Sequence, residues 1–315
     1  MRLGLTYDLQ TDPSDRHQAE FDPPAVIDAV CRAVGALGHD VVRLGEARAV
    51  LAAPNRVREV ELVLNLAEGT QGRCREAWVP TMLEGLAVPY VGSGPVTLCL
   101  GLDKVMCKRL AVASGILTPR WICVEDANRL PARLPMPYPI ILKPRYEGSG
   151  SGISQESIVR DADALARRVG ELLAEWQQPI LVEEFIPFGE LTVCVIGNDP
   201  PVAYPAIQRP IDPTSRLSCH VARTDRWEAP LELTDALDAQ ARQVAVTMFQ
   251  ALGCRDMARI DLRVDARGTI HFLEINPLPS FDPDGSFGLL AEHLGMGYAQ
   301  LVGRIVDAAR RRLDV

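Results

Sequence analysis

Residues 258–276 read ARIDLRVDARGTIHFLEIN, and this stretch decides the fold of the second half of the chain. Apolar and charged residues alternate on both sides of a turn signal at Asp265–Gly268, which predicts two antiparallel strands joined as a hairpin. The alternating residues are too apolar for a hairpin at the periphery of a protein. We therefore expect this hairpin to belong to a larger, partly buried sheet.

One face of the predicted hairpin carries a set of oxygen ligands. Glu274 and Asn276 are two residues apart and share a face, which Asp261 on the other strand can join. Two carboxylates and an amide oxygen suit Mg²⁺, completed by phosphates and waters. Arg259 shares that face and could hold a phosphate or a developing oxyanion. The alternative is a solvated sheet face whose charges serve solubility.

A glycine–serine loop, Glu147–Gly152, follows a predicted strand that ends at Lys143. Glycines let backbone N–H groups approach phosphate oxygens, although neither a Walker loop nor a dinucleotide fingerprint is present. Lys143 beside this loop, and Lys104 at the start of a helix capped by Asp103, are suited to clamp phosphates. The alternatives are a flexible hairpin tip and two ordinary surface lysines.

Composition and charge exclude several classes of protein. The formal net charge is −8, which argues against a general nucleic-acid binder. No run of 18 apolar residues predicts a membrane span, and the N-terminus does not resemble a signal peptide. Eight scattered cysteines without a Cys-x-x-Cys pair predict reduced, mostly buried thiols in a cytoplasmic protein.

The pattern of predicted elements changes along the chain. Strand and helix patterns alternate over residues 1–95, which predicts a doubly wound parallel sheet. After residue 95, helices are mixed with strands that read as antiparallel. Residues 208–228 show little periodicity and predict a long loop of the kind that is often functional.

These motifs, in this order, resemble the ATP-grasp superfamily and, within it, the D-alanine–D-alanine ligase group. The resemblance covers nearly the whole chain. It implies that the N-terminal domain, residues 1–95, is followed by two α+β lobes, residues 96–180 and 181–315, which clasp ATP between them. The matching motifs are Asp103-Lys104, Lys143-Pro144, Glu147–Gly152, Glu183 through Glu190, Arg259-Ile260-Asp261 and Glu274-Ile275-Asn276. Segments 65–69 and 89–93 also look like the N-terminal half of that group.

The resemblance implies specific roles for the matching residues. The nucleotide-binding residues would be Lys104, Lys143, Glu147, Gly148, Ser149, Gly150, Ser151, Glu183, Glu184, Ile186, Glu190 and Asn276. Within that set, Glu183 would face adenine and Glu190 the ribose. The metal ligands would be Asp261, Glu274 and Asn276. The catalytic residues would be Arg259, Ser151 and Glu20, and the substrate contacts Glu20, Glu68, Arg259 and Ser286.

The implied reaction is ATP-dependent joining of a carboxylate to an amine through an acyl phosphate, with ADP and phosphate released. The implied cofactors are ATP and two Mg²⁺ ions, for which Mn²⁺ can substitute. The implied partners are small amino-acid or peptide substrates and a second copy of the chain in a homodimer, with neither nucleic acid nor membrane. A phosphotransferase on the same scaffold and a non-catalytic nucleotide-binding module are the alternatives.

The sequence departs from the D-alanine–D-alanine ligase pattern around the substrate. The family's histidine is missing at 67–73, where Glu68 and Arg73 stand instead. The family's lysine in the long loop is also missing, and the cations of that region are Arg216, His220, Arg223 and Arg226. Asp282 and Asp284 near Ser286 would repel a carboxylate and attract an amine or guanidine. These departures favour a re-specified amino-acid or peptide ligase over a strict D-alanyl-D-alanine ligase.

Overall fold

The computed structural model describes residues 1–218 and 225–314, and its N-terminal part is a parallel sheet between helices. Its elements are β1 (Arg2–Tyr7), α1 (Pro24–Ala36), β2 (Asp40–Gly45), α2 (Ala47–Ala52), α3 (Pro54–Val57), β3 (Leu62–Leu66), α4 (Trp78–Gly85) and β4 (Tyr90–Val91). The strand order is β2-β1-β3-β4, and every pairing is parallel. Separate apolar clusters cover the two faces of this sheet, which confirms the predicted doubly wound arrangement.

The central part is a four-stranded antiparallel sheet with one long helix packed on it. Its elements are α5 (Pro95–Leu102), α6 (Lys104–Ala113), β5 (Trp121–Val124), β6 (Ile140–Pro144), β7 (Ile158–Val159), α7 (Ala162–Trp176) and β8 (Ile180–Glu184). The carboxylate of Asp103 accepts hydrogen bonds from the first backbone N–H groups of α6, as its position in the sequence predicts. This cap fixes where Lys104 leaves the helix.

The C-terminal part is a second antiparallel sheet, built around the hairpin that the sequence predicts. Its elements are β9 (Gly189–Ile196), β10 (Val202–Ala203), β11 (Ile207–Arg209), α8 (Asp235–Leu252), β12 (Met257–Val264), β13 (Ile270–Asn276), α9 (Ser286–His293) and α10 (Tyr298–Leu313). Strand β12 lies between β9 and β13, so the hairpin is central in its sheet. The predicted combination of a parallel N-terminal sheet and two α+β lobes is confirmed.

Two features of the C-terminal part depend on its tertiary structure. Strands β10 and β11 both pair with β9 but are separated around Pro205, because proline cannot donate a ladder hydrogen bond. Helix α10 returns to the N-terminal sheet, where Ile305 and Ala309 join the apolar cluster that contains Leu5. The last residues of the chain therefore complete the core of the first sheet.

Two further predictions concern the whole chain. Among the described residues no helix combines the length and the apolar character needed to cross a lipid bilayer. The seven described cysteines all carry free thiols, and Cys107, Cys194 and Cys254 are buried.

Candidate active site

A cleft runs between the central and C-terminal sheets, and most of the predicted site residues line it. We call it the central cleft. Its charged and polar lining residues are Lys104, Lys143, Glu147, Ser149, Glu183, Glu184, Glu190, Arg209, Arg259, Asp261, Arg263, Glu274, Asp282 and Ser286. Its apolar lining residues are Ile141, Ile153, Phe185, Ile186, Leu217 and Leu273. Four of the apolar residues, Ile141, Ile153, Phe185 and Leu217, belong to one cluster, which we call the apolar end of the cleft.

The predicted oxygen ligands meet on the β12–β13 hairpin. The register pairs Asp261 with Glu274 and Arg259 with Asn276, so all four side chains point to one face. The amide nitrogen of Asn276 donates to the Asp261 carboxylate at 3.3 Å, which leaves its amide oxygen available to the cleft. The hairpin therefore brings these residues together as its sequence pattern predicts.

Asp261 is buried and held in its ionised form. Burial alone would raise the pKa of its carboxyl group, but Arg259, 2.9 Å away, and the hydroxyl of Thr192, 2.7 Å away, lower the pKa below its ordinary value. The opposing charge of Asp261 in turn raises the pKa of Arg259 against the effect of burial. The face presents an anionic ligand beside a permanent cation.

This face fits a divalent cation only together with ligands from outside the chain. No three histidine, cysteine, aspartate or glutamate side chains converge as a metal cluster in residues 1–218 and 225–314. Asp261, Glu274 and the oxygen of Asn276 are hard donors of the kind that Mg²⁺ and Mn²⁺ prefer. Three such donors leave coordination positions for phosphate oxygens and water.

Lys104 and Lys143, the two lysines predicted to bind phosphate, reach the cleft from different elements, helix α6 and strand β6. Lys104 at the start of α6 donates to the backbone carbonyl of Glu147 and lies 3.4 Å from the Glu274 carboxylate. Lys143 on β6 lies 2.9 Å from the Glu183 carboxylate. Both ammonium-bearing side chains line the central cleft.

The course of the glycine–serine loop decides which of its serines lines the central cleft. Ser149, at φ 48°, is followed by Gly150, at φ 73°, and these left-handed residues curl the chain. Ser149 and Gly150 line both the central cleft and a surface depression beside Arg16 and Trp176, whereas Ser151 lines only the depression. The catalytic and nucleotide-binding roles of Ser151 remain predictions, and Ser149 is the serine of this loop that lines the central cleft.

Glu183 lies at the floor of the cleft, where the sequence suggested an adenine contact. Its side chain is 2% exposed, and its two carboxylate oxygens lie 2.5 Å from Lys108 and 2.9 Å from Lys143. Burial opposes the charge of Glu183, but the two ammonium groups lower its pKa to about 2. Burial lowers the pKa of Lys108, which the ion pair only partly offsets. The carboxylate that would contact adenine is therefore already ion-paired with two lysines.

Lys108 is a site residue that sequence reasoning missed. It lies four residues after Lys104 on α6 and is 0% exposed. The sequence contains a signal for this role, which is the rarity of lysine. The chain has thirty arginines but only three lysines, Lys104, Lys108 and Lys143. All three surround the same cleft.

The remaining predicted nucleotide residues lie along the apolar end. Glu190 opens β9 and lies 2.8 Å from Arg263, a partner that was not predicted. Glu184 lies 2.9 Å from Arg120 at the mouth of the cleft. Ile186 is 8% exposed and lines the cleft with its neighbours on the chain. All three residues line the central cleft, and their nucleotide-binding roles remain predictions.

The predicted substrate residues divide into two groups. Glu20 and Glu68 lie beyond the phosphate end, in a pocket that the N-terminal part contributes. Glu20 is already ion-paired with Arg75 at 2.5 Å and accepts a hydrogen bond from the backbone N–H of Gly148 at 2.8 Å. Ser286 begins α9, and its hydroxyl is hydrogen-bonded by Arg209.

Arg209 is a cation of the predicted long-loop region, residues 208–228, that was not among the candidates from the sequence. It is 4% exposed, lines the central cleft and donates to Thr192 at 3.2 Å, next to Asp261. Arg216 instead donates to the carbonyls of Pro187 and Phe188 and pairs with Glu228, which fixes the loop rather than the cleft. The candidates His220 and Arg223 lie outside the described residues, and Arg226 does not line the central cleft.

The two predicted aspartates lie in different settings. Asp282 lines the cleft near Ser280, whereas Asp284 is exposed and does not. Ser280 donates to Asp22 at 3.3 Å, and burial, with contributions from Asp282 and Asp8, raises the pKa of Asp22 to about 6. The end of the cleft near Ser286 is therefore rich in carboxyl groups, as the sequence suggests.

Comparison with known proteins gives relatives of one kind. The model of the family described as D-ala D-ala ligase C-terminus matches residues 113–307. A D-alanine–D-alanine ligase of Marinomonas sp. is 33% identical over 254 residues, which cover 79% of this chain and 76% of that protein. An uncharacterized protein, y4sG, of Sinorhizobium fredii is 31% identical over 306 residues, which cover 91% and 88%.

Solved structures show the same likeness in three dimensions. The D-alanine–D-alanine ligase of Bacillus anthracis complexed with ATP matches with a TM-score of 0.77 at 21% identity, over 99% of this chain and 98% of that chain. The VanG D-Ala:D-Ser ligase of Enterococcus faecalis matches with a TM-score of 0.75 at 17% identity, over 98% and 99%. The predicted ATP-grasp fold is confirmed by these matches.

Proposed function

Because the chain belongs to the D-alanine–D-alanine ligase family, we propose that it is an ATP-dependent ligase that joins the carboxyl group of one amino acid or peptide to the amine of another. One observation carries this proposal. Arg259, Asp261 and Glu274 of the hairpin line the same cleft as the phosphate-binding candidate Lys104, and Asn276 lies on the same face of the hairpin and lines the adjoining pocket. Such a cleft suits a reaction in which a phosphoryl group is transferred and an oxyanion forms.

ATP fits the cleft by its chemistry at each point. The apolar lining at Ile141, Phe185 and Ile186 suits the adenine ring, and Glu190 suits ribose hydroxyl groups. Lys104 and Lys143 suit the phosphates. The backbone of the glycine–serine loop lines the same cleft at Gly148, Ser149 and Gly150, where glycines allow a close approach to phosphate oxygens.

We assign Asp261, Glu274 and Asn276 to two Mg²⁺ ions, with Mn²⁺ as a substitute. A metal ion bound there would neutralise the negative charge that phosphates carry during phosphoryl transfer. The chain's own contribution is to keep Asp261 ionised through Arg259 and Thr192. It also places the Glu274 carboxylate 3.4 Å from the Lys104 ammonium group. Helix α6 and strand β13 therefore hold the phosphate-binding lysine and the metal ligand side by side.

Arg259 and the lysines act on the reacting groups. A carboxylate oxygen of the first substrate attacks the terminal phosphorus of ATP, the bond to ADP breaks, and an acyl phosphate forms. The amine of the second substrate then attacks the acyl carbon, loses a proton, and phosphate leaves as the C–N bond forms. Arg259 shares the face on which these bonds change, so its guanidinium can stabilise the oxyanion of the tetrahedral intermediate.

We assign to Arg209 the place that a lysine of the long loop has in the family pattern. It is a buried cation beside Asp261 and Ser286, where the transferred phosphoryl group and the second substrate meet. An arginine holds phosphate or carboxylate in a bidentate manner, which a lysine does not. Arg209 therefore keeps a cation in the site although the family's lysine is missing from the sequence.

The proposal extends to the partners predicted from the sequence. The substrates are amino acids or peptides. A homodimer is supported by an apolar surface at Trp78, Met82 and Val96, where Val96 is 73% exposed. The cytoplasmic location predicted from the sequence remains a prediction.

ADP release with Mg·ATP and paired D- and L-amino acids tests the proposal. We expect release that depends on both an acid and an amine, with a product mass equal to two substrates minus water. Asp261→Asn and Glu274→Gln should lower turnover at least about 100-fold, whereas the surface control Asp307→Asn should leave it unchanged. Release that needs no amine would instead indicate a phosphotransferase, and near-normal turnover in both hairpin variants would refute the metal assignment.

A further inference from the structure

Strand β12 presents three charged side chains to the central cleft, and the function proposed above uses only two of them. Arg259, Asp261 and Arg263 are spaced two residues apart along the strand, so they share a face, and all three line the cleft. Arg259 and Asp261 belong to the hairpin face proposed for phosphoryl transfer. Arg263 lies further along the strand, and its guanidinium carbon is 5.8 Å from the centre of the Phe185 ring, at the apolar end of the cleft.

Arg263 forms an ion pair with Glu190 across the sheet. The two residues are directly opposite each other on β12 and β9, and the guanidinium lies 2.8 Å from the Glu190 carboxylate. Arg209 is opposite Glu190 on the other neighbouring strand, β11. Its guanidinium instead binds the hydroxyl groups of Thr192 and Ser286. Among the residues that the structure describes, Arg263 is therefore the one cation that pairs with Glu190.

The guanidinium of Arg263 is held at a second point, which fixes its orientation. Another nitrogen of the same group donates to the backbone carbonyl of Arg216 in the long loop, at 3.0 Å. Arg216 in turn donates to the carbonyls of Pro187 and Phe188, which precede Glu190 on the chain. The side chains of Arg263 and Glu190 are only 7% and 10% exposed. Because these contacts form a closed ring, the Glu190 carboxylate is oriented before a nucleotide binds, which lowers the cost of binding.

The ion pair leaves one oxygen of Glu190 for a ligand. Arg263 lies beside the carboxylate oxygen Oε2, and among the described residues no hydrogen bond is formed to the other oxygen, Oε1. A hydroxyl group is a suitable partner, because it donates to a carboxylate without adding charge. A phosphate group is a poor partner, because the Glu190 carboxylate would repel it. This part of the cleft therefore suits the ribose and not the phosphate chain.

We propose that Arg263 is a positioning residue that holds the Glu190 carboxylate toward the ribose, and that this pair makes the site distinguish a ribonucleotide from a deoxyribonucleotide. The proposal rests on the function proposed above, because it needs ATP in the central cleft. Arg263 acts through Glu190, whose free oxygen accepts a hydrogen bond from a ribose hydroxyl group. A deoxy nucleotide lacks that donor and leaves a buried carboxylate oxygen unsatisfied, which lowers affinity.

Calorimetric titration with three nucleotides tests the proposal. ATP, 2′-deoxy-ATP and 3′-deoxy-ATP are titrated into the chain with Mg²⁺ and without an amino acid, so that binding is measured apart from turnover. We expect at least one deoxy nucleotide to bind about tenfold or more weakly than ATP, because a hydrogen bond to a charged group is lost. Arg263→Met and Glu190→Gln should each reduce that difference to about threefold or less.

Further variants separate positioning from a merely structural role. Arg263→Lys keeps the charge but not the forked pair of donors, so it should keep only part of the discrimination. Arg267→Met is the matched control, because its side chain is 86% exposed in the turn of the same hairpin, and it should change nothing. The double variant Arg263→Met with Glu190→Gln should lose no more discrimination than either single variant, because the two residues act as one unit.

The outcomes are distinct. Discrimination that survives Arg263→Met, or equal binding of the three nucleotides to the native chain, would overturn the proposal. An equal loss of affinity for all three nucleotides in Arg263→Met would also overturn it, because that result indicates a structural role alone. If melting shows that Arg263→Met does not fold, Arg263→Lys decides, and undiminished discrimination in that variant would overturn the proposal.

ADP release with paired amino acids reports the proposed function separately. Discrimination that depends on Arg263 and Glu190, without any amide product, would support the positioning role and refute the ligase. Amide formation at equal rates with ATP and both deoxy nucleotides, combined with equal binding of all three, would support the ligase and refute the positioning role. The two proposals can therefore fail independently.

Discussion

Replacing Lys108 with methionine removes a buried positive charge and keeps most of the volume of the side chain. Its ammonium group lies 2.5 Å from the Glu183 carboxylate and 2.7 Å from the Thr118 hydroxyl. The variant leaves Glu183 with Lys143 at 2.9 Å. Breaking a buried ion pair by removing one partner costs about 3–5 kcal/mol. Because Lys143 remains, we expect a loss at the lower end, about 3 kcal/mol.

Denaturant and thermal unfolding measure this loss. A loss of about 3 kcal/mol corresponds to a fall of roughly 4–5 °C in melting temperature for a chain of 315 residues that unfolds in one transition. Arg109→Met on the exposed side of the same helix is the control and should change stability by less than about 0.5 kcal/mol. The double variant Lys108→Met with Glu183→Gln should recover part of the loss, because it removes the uncompensated charge.

The pH dependence gives a second check on the same group. The folded-state pKa of Glu183 is about 2, below the ordinary value near 4.5, so its contribution to stability is full above pH 4.5 and is lost as pH falls toward 2. The difference in free energy of unfolding between the native chain and the Lys108→Met variant should therefore become smaller as the pH falls from 4.5 toward 2. A loss below about 1 kcal/mol at neutral pH, or a difference that does not vary with pH, would refute this reasoning.

Three other predictions concern packing and the site. Gly288→Ala should destabilise the fold by about 1–3 kcal/mol or more in a melting experiment, because a Cβ there would lie 1.5 Å from the Pro283 carbonyl oxygen. Gly170→Ala, with nothing within 4 Å, should instead stabilise α7 slightly and serves as its control. Arg209→Met should lower kcat at least about tenfold with little change in the KM for ATP, and an unchanged kcat would remove Arg209 from the site. Mg·ATP should protect Lys104 and Lys143 from an amine-reactive reagent when peptides are mapped by mass, and modification at the same rate with and without nucleotide would place the phosphates elsewhere.

The parts of the site that lie within one hairpin or one helix cap could be predicted from the sequence. The period of two in residues 257–276 places Asp261, Glu274 and Asn276 on one face, and the structure has this register. Asp103 caps α6 as its residue type indicates. These contacts are local, so short-range rules of strand and helix geometry are sufficient for them.

The parts that depend on contacts between distant segments could not be predicted in the same way. Glu183 meets Lys108 across 75 positions of the chain, and Arg75 meets Glu20 across 55. Which serine of the loop lines the cleft could not be predicted, because the course of the loop depends on the positive φ angles of Ser149 and Gly150, which glycine content alone does not specify. The return of α10 to the first sheet is likewise a property of the tertiary core.

Oxygen-18 in the carboxyl group of the acid substrate tests the proposed chemistry most directly. With Mg·ATP and an amine, we expect one labelled oxygen in the released phosphate for each amide formed, because the carboxylate oxygen leaves with phosphorus. Unlabelled phosphate accompanying an amide product would contradict activation through an acyl phosphate. A labelled phosphate without any amide would show that the cleft phosphorylates a carboxylate and does not join it to an amine.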